Sequence, residues 1–336
     1  MVKGCYINME LDFNKVGTVD ENLIFQITSS MIPSINKKQT IYHYTSINGI
    51  KNILDKKKLW FTNIDYMNDK HEVIEGLKQF EKAGKKLYGD GYDKHCKKII
   101  SKLKKQKNKV FVCCFSLDRD ELSMWNYYTK DINNQGYNIG FDYKNLIISL
   151  LKNNKELHSC SLSFGNVDYC LSEKTYAHQA YDMVTESLKA IFASLACWLK
   201  GEKRSQAEMP ESDVPYVKYF GEEPCFRRAP SFDTVYFMKK PCFSKENEFR
   251  IVIQATDEAL EEFKNANKYK FRESNGILIP YIELEFSIAD IIGITFSPTT
   301  KSDLSMRSME DYCCYNGINA KELKEGIKKS KIPVRF

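Results

Sequence analysis

The chain has 336 residues, 43% of them apolar and 13% aromatic, with a formal net charge of +6 at pH 7. That content can build a hydrophobic core, which excludes an intrinsically disordered chain. No uninterrupted apolar run reaches the roughly 18 residues of a spanning helix, and the first residues lack the apolar stretch and cleavage site of a secretory signal. The chain is therefore read as cytoplasmic, with no membrane partner and with its eleven cysteines reduced.

Residues 1–38 read as a variable lead-in, closed by Pro33 and the polar SINKK stretch. Residues 39–336 read as one α+β domain. QTIYHYT is a short alternating strand. Thr45 or Ser46 can cap a helix whose apolar positions Ile47, Ile50, Ile53 and Leu54 recur at helical spacing. Leu59–Thr62 is a second short strand, and Asp69 with Glu72 forms a capping box for a helix reaching about Leu87. A basic helix follows. Its segment Lys94–Lys109 carries eight lysines and no acid. A solvated face is the plainer reading of that segment; contact with nucleic acid is the sharper one, and the lack of arginine weighs against it.

Val110–Phe115 reads as a buried strand, DELSMWNYY as a short helix and YNIGFD as a strand after the NNQG turn. A strand near 159–170 and a long helix from about Lys174 to Leu199 come next. Residues 200–232 lose periodicity and hold four prolines, so 174–232 reads as a helical segment with an irregular insertion. KENEFRIVIQA, ILIPYIELEF and IADIIGITF are further strands. A helix from about Thr300 to Tyr315 and a short one near 320–328 precede SKIPVRF. Strands and helices alternate without a βαβ beat, which predicts an α+β fold.

Glycine-rich phosphate loops, the G-x-S-x-G elbow and H-E-x-x-H are all missing, and neither C-x-x-C nor paired histidine spacing offers a zinc site. Three constellations remain. In Tyr42-His43-Tyr44-Thr45, alternation puts the tyrosines on one face and His43 with Thr45 on the other. There the imidazole and hydroxyl could hold a ribose or phosphate, although a lone histidine is more often structural. Asn68, Asp69 and Glu72 form a second group, joined at a distance by Trp125, Asn126 and Tyr128; helix capping explains the acids equally well, and a hard cation is the alternative. The third is Lys245–Arg250. Here Glu246, Glu248 and Arg250 share a face if the strand has begun, and a carboxylate pair needs a facing cation such as Arg250.

Five ordered blocks, Tyr42–Thr45, Leu59–Glu72, Cys114–Asp142, Lys240–Arg250 and Ser330–Arg335, resemble a bacterial domain-of-unknown-function family, number twenty-nine seventy-one. The layout of that family is similar to the ADP-ribosyltransferase fold. The resemblance implies a mixed, mostly antiparallel split β-sheet with flanking helices, and NAD as substrate. It makes Glu248 the catalytic acid, with Glu246 nearer an acceptor whose identity stays open: protein, nucleic acid, small molecule or water. His43, Thr45, Tyr44, Thr62 and Trp125 would bind the dinucleotide, and no metal is required. Such an enzyme would suit a toxin or phage-defence effector. The pattern departs from the familiar transferases in lacking a clear S-T-S strand, which bears most on Thr62. Two other readings stand beside it: a metal-dependent nuclease using Asp69, Glu72 and the late glutamates, and a non-catalytic module that senses a nucleotide.

Overall fold

In a computed structural model, the structure describes residues 40–67, 109–129, 135–169, 211–220, 223–230, 236–300 and 303–333. Strand β1 (Thr40–Ser46) leads directly into helix α1 (Ile47–Lys56). Ser46 caps that helix by accepting from the backbone N–H of Gly49, and Ile50, Ile53 and Leu54 form its buried stripe. Thr45 lies over Gly49: a Cβ there would fall 1.8 Å from the Thr45 hydroxyl oxygen. Strand β2 (Lys58–Asn63) returns from the helix, and β3 (Val110–Ser116) and β4 (Gly136–Asp142) follow, with helix α2 (Leu122–Tyr128) between them.

Helix α3 (Tyr143–Asn153) is an element that the sequence reading leaves unassigned between YNIGFD and the strand near 159–170. Its sequence carries the signal: Asp142 caps it, and Tyr143, Leu146, Ile147, Leu150 and Leu151 repeat at helical spacing and are buried. Next come β5 (Cys160–Asn166), the two-residue β6 (Asp168–Tyr169), β7 (Glu211–Phe220), β8 (Glu223–Pro230) and the two-residue β9 (Met238–Lys239). Strand β10 (Glu248–Ala255), helix α4 (Asp257–Asn265), β11 (Tyr269–Ser274), β12 (Ile277–Glu285), β13 (Ile291–Phe296), helix α5 (Asp303–Tyr315) and β14 (Gly326–Lys329) complete the order. No helix among the described residues is long and apolar enough to cross a membrane.

Two expectations are corrected. The stretch 200–232, read as irregular, holds a hairpin: β7 pairs antiparallel with both β5 and β8. Its prolines hid it. Pro215 sits where the β7–β8 register shifts, a place where a strand tolerates a residue without an N–H. The short helix near 320–328 is instead a turn followed by β14. Gly317 and Gly326 adopt φ of 80° and 70°, which glycine enters without strain, and Ile327 then pairs with Ile294. The lead-in 1–38, the helix from Asp69, most of the Lys94–Lys109 segment and the helix 174–199 lie outside the described residues.

The main sheet runs β14-β13-β4-β1-β3-β10-β5-β7-β8, antiparallel except for β13–β14. It is open and forks at β3. One edge of β3 pairs with β1 only at Tyr42↔Ser116, and with β2 only at Thr62↔Val112 and Asn63↔Phe111. The β2–β12–β11 arm therefore diverges from β1, and Cys113, Cys114 and Phe115 face the gap between them. Alternation decides the two faces. Phe111, Cys113, Phe115, Phe249, Ile251 and Ile253 join α1, α3 and α4 in the core. Glu248 and Arg250 lie on the other face, with Ser116 opposite Glu248 and Cys114 opposite Arg250.

Candidate functional site

A cavity of about 150 Å³ sits at the fork. It is lined by His43, Tyr42 and Tyr44 from β1, Trp60 and Thr62 from β2, and Val112–Phe115 from β3. Met124 and Tyr128 of α2 close it, together with Met67, Glu246 and Glu248. His43 and Glu248, two hundred residues apart, thus open onto one space.

His43 is half-buried and stacks edge-on against Phe115 at 5.5 Å. Its Nδ1 lies 3.0 Å from the carbonyl oxygen of Cys114. That oxygen belongs to the part of β3 with no strand pairing on this edge, so the imidazole takes the place of a missing ladder partner. A carbonyl only accepts, so Nδ1 carries the proton and Nε2 keeps its lone pair. Burial lowers the imidazole pKa from 6.5 more than the Cys114 contact raises it. The ring is neutral at pH 7.

Glu248 begins β10 and is only 4% exposed. Arg250 donates to it from Nε to Oε1 at 2.8 Å and from Nη2 to Oε2 at 3.0 Å. Lys239 donates to Glu248 Oε2 at 3.1 Å and to Glu246 Oε2 at 2.5 Å. Burial works against the Glu248 charge, but the neighbouring Arg250 and Lys239 outweigh it and hold the carboxyl at about 2. The neighbouring Cys114 thiol also favours the ionised carboxyl. Burial and that carboxylate together push the thiol well above its ordinary range. Tyr128 donates to Glu246 Oε1 at 3.0 Å, and its own phenol is raised chiefly by burial.

The two glutamates converge by a different route from the one expected. Glu246 closes a 3₁₀ turn, Pro241–Glu246, and Asn247 is left-handed at φ 40° before the strand begins. Asparagine enters that region more readily than most residues. A tight turn, rather than strand alternation, aims both carboxylates at Lys239. The backbone carbonyl of Asn247 then accepts from Leu117 N–H at 2.8 Å, which ties the turn to the end of β3.

Of the residues singled out in the sequence, His43, Tyr44, Thr62, Glu246 and Glu248 line the cavity. Trp125 does not: it is 2% exposed and packs edge-on behind Tyr44 at 4.6 Å. Thr45 is also absent from the lining, its hydroxyl lying against Gly49 in the first turn of α1. Asn68, Asp69 and Glu72 lie outside the described residues. Sequence reasoning missed Lys239 and Cys114. The need for a cation facing two carboxylates was a usable signal for the lysine. Trp60 is better defined than its sequence context implied: its indole donates to buried Glu283 at 3.1 Å and rests on Tyr281 at 4.5 Å.

Residues 124–251 match the model of DUF2971, a protein family of unknown function. The match supports that family for this chain. It runs from within α2 to within β10, and so includes Met124, Tyr128, Lys239, Glu246, Glu248 and Arg250 of the site. No curated protein and no solved structure matches the chain.

Proposed function

We propose that this cavity takes the nicotinamide–ribose end of NAD and breaks its N-glycosidic bond, in the manner of an ADP-ribosyltransferase or NAD glycohydrolase. One observation carries the reading: an ionised Glu248 lies on the wall of a ring-sized aromatic cavity that a neutral His43 also lines. A cavity near this volume holds about one aromatic ring. The pyridinium ring occupies it, while the pyrophosphate and adenosine extend beyond it. As the bond breaks, its electron pair leaves with the nicotinamide nitrogen, and the ribose carbon gains oxocarbenium character. A fixed carboxylate stabilises that charge. The lone pair on His43 Nε2 accepts from a ribose hydroxyl, and the incoming acceptor, water or a side chain, forms the new bond to the ribose carbon and releases its proton to bulk water.

The carboxylate has about four acceptor positions; Arg250 and Lys239 fill three of them in the free protein, and the Cys114 thiol bears on the fourth. The thiol is the weakest of these donors and the one a substrate hydroxyl displaces. The same saturation favours a second reading, in which the cavity binds NAD as a sensor and leaves it intact. The nuclease reading has less support here, since Glu246 and Glu248 are compensated by protein cations.

His43→Ala separates a working histidine from a packing one. With NAD as substrate, KM is expected to rise and kcat to fall, each by about tenfold, on the scale of one lost hydrogen bond to a reacting group. Unchanged kinetics in a variant of lowered thermal stability would return His43 to a purely structural role.

A further inference from the structure

The Ser330–Ile332 segment, which follows β14, reaches across the outer side of the cavity's aromatic wall. Its anchor is Asp120, in the loop between β3 and α2. Asp120 Oδ1 accepts from the Trp125 indole at 2.9 Å and from the Ser330 hydroxyl at 2.6 Å, while Oδ2 accepts from the Lys331 backbone N–H at 2.8 Å. One carboxylate thus joins three groups from two distant stretches of chain. Ile332 then packs on the cluster of Tyr42, Tyr44, Met124 and Trp125. Three of those four line the cavity; Trp125 backs Tyr44.

The same loop is fixed from other sides. Tyr44 donates to the Asp118 carbonyl at 2.7 Å, and Asn138 donates to the Arg119 carbonyl at 2.5 Å. Just ahead of β14, Glu325 accepts from the Tyr42 hydroxyl, with both oxygens at 3.0 Å. The chain around β14 therefore holds both cavity tyrosines of β1, Tyr42 through Glu325 and Tyr44 through the Asp120–Trp125 link.

We propose that Asp120 is a positioning residue, which uses the Ser330–Ile332 segment to hold the Tyr44–Trp125–Met124 wall in the shape that accepts the ligand. Packing alone would leave that wall a choice of rotamers. The strap removes the choice, so a loosened strap lowers the fraction of molecules competent to bind. The kinetic consequence rests on the NAD reading; the structural one does not.

Three variants test it. Ser330→Ala removes one bond to Asp120, and Ser330→Thr keeps the hydroxyl. Asp120→Asn can still accept from the indole but presents an amide N–H to the Lys331 N–H, where no hydrogen bond forms. The chain has three tryptophans, whose indole N–H resonances are separable by NMR. The Trp125 resonance, assigned with Trp125→Phe, is expected to shift in Ser330→Ala and Asp120→Asn but not in Ser330→Thr. The Trp60 resonance, held by Glu283 on the opposite wall, stays in place as the reference. With NAD, the two loosened variants are expected to raise KM about tenfold and change kcat less than about threefold, as a reduced competent fraction requires. Ser330→Thr restores the wild-type KM. An unmoved Trp125 resonance in both loosened variants overturns the proposal, as does a wild-type KM in an active enzyme. Should wild-type protein leave NAD intact, the NAD reading falls, and the Trp125 shift alone decides whether the strap holds the wall.

Discussion

Glu248 keeps its charge inside the fold because Arg250 and Lys239 stand against it, and this has consequences in acid. Its carboxyl is held at about 2, below the ordinary 4.5. A carboxyl depressed on folding gives its full stability above the unfolded value, and loses it as pH falls through that value toward the folded one. Wild-type stability, followed by circular dichroism, is expected to drop as pH falls from about 4.5 toward 2, with a shallower drop in Glu248→Gln. Identical acid limbs would mean that Glu248 titrates alike in both states. Cys114 offers a sharper residue-scale test. A serine hydroxyl donates more strongly than a thiol, so Cys114→Ser should hold Glu248 against an incoming ribose hydroxyl. A KM for NAD several-fold above wild type is expected, while Cys114→Ala stays close to wild type. Equal KM values for the serine and alanine variants would show that substrate does not compete with this donor.

At the scale of elements, the fork depends on how closely β4 approaches β1 and α2. A Cβ on Gly136 would lie 2.2 Å from Thr129 Cβ and 2.8 Å from the Thr45 backbone oxygen, neither of them the end of a flexible side chain. Gly136→Ala is expected to lower stability by about 1–3 kcal/mol, the usual cost of overpacking, measured by denaturant melting. A wild-type midpoint would mean that β4 shifts without cost. Strands β1, β2, β3, β4, β10, β12 and β13 were legible in the sequence because each alternates or runs apolar between clear breakers. The β7–β8 hairpin was not: Pro215 and mixed charge imitate a loop when the β5 edge that pairs with it is out of view. The segment near 320–328 failed in the opposite direction. Its lysines and glutamates suit a helix, but pairing with β13 and a left-handed Gly326 override that propensity.

For the whole molecule, the informative feature is that one edge of β3 is shared by two strands that part company, leaving a space between them. The resemblance to the transferase layout could suggest that His43, Thr62 and Glu248 belong together. It could not show the gap that joins them, because a fork in a sheet is a property of register. Nor could it exclude Trp125, whose aromatic character is the same whether it lines a wall or backs one. Lys239 was hidden for a related reason, as only the left-handed turn at Asn247 brings two carboxylates around it. The most direct test of NAD cleavage at this fork is the release of free nicotinamide from NAD, followed by chromatography for wild-type protein and Glu248→Gln side by side. Release by wild type is expected, with turnover in the variant lower by on the order of a hundredfold at nearly unchanged NAD affinity, the pattern of lost transition-state stabilisation. Nicotinamide release by folded Glu248→Gln at the wild-type rate, or none from wild-type protein that binds NAD, would contradict it.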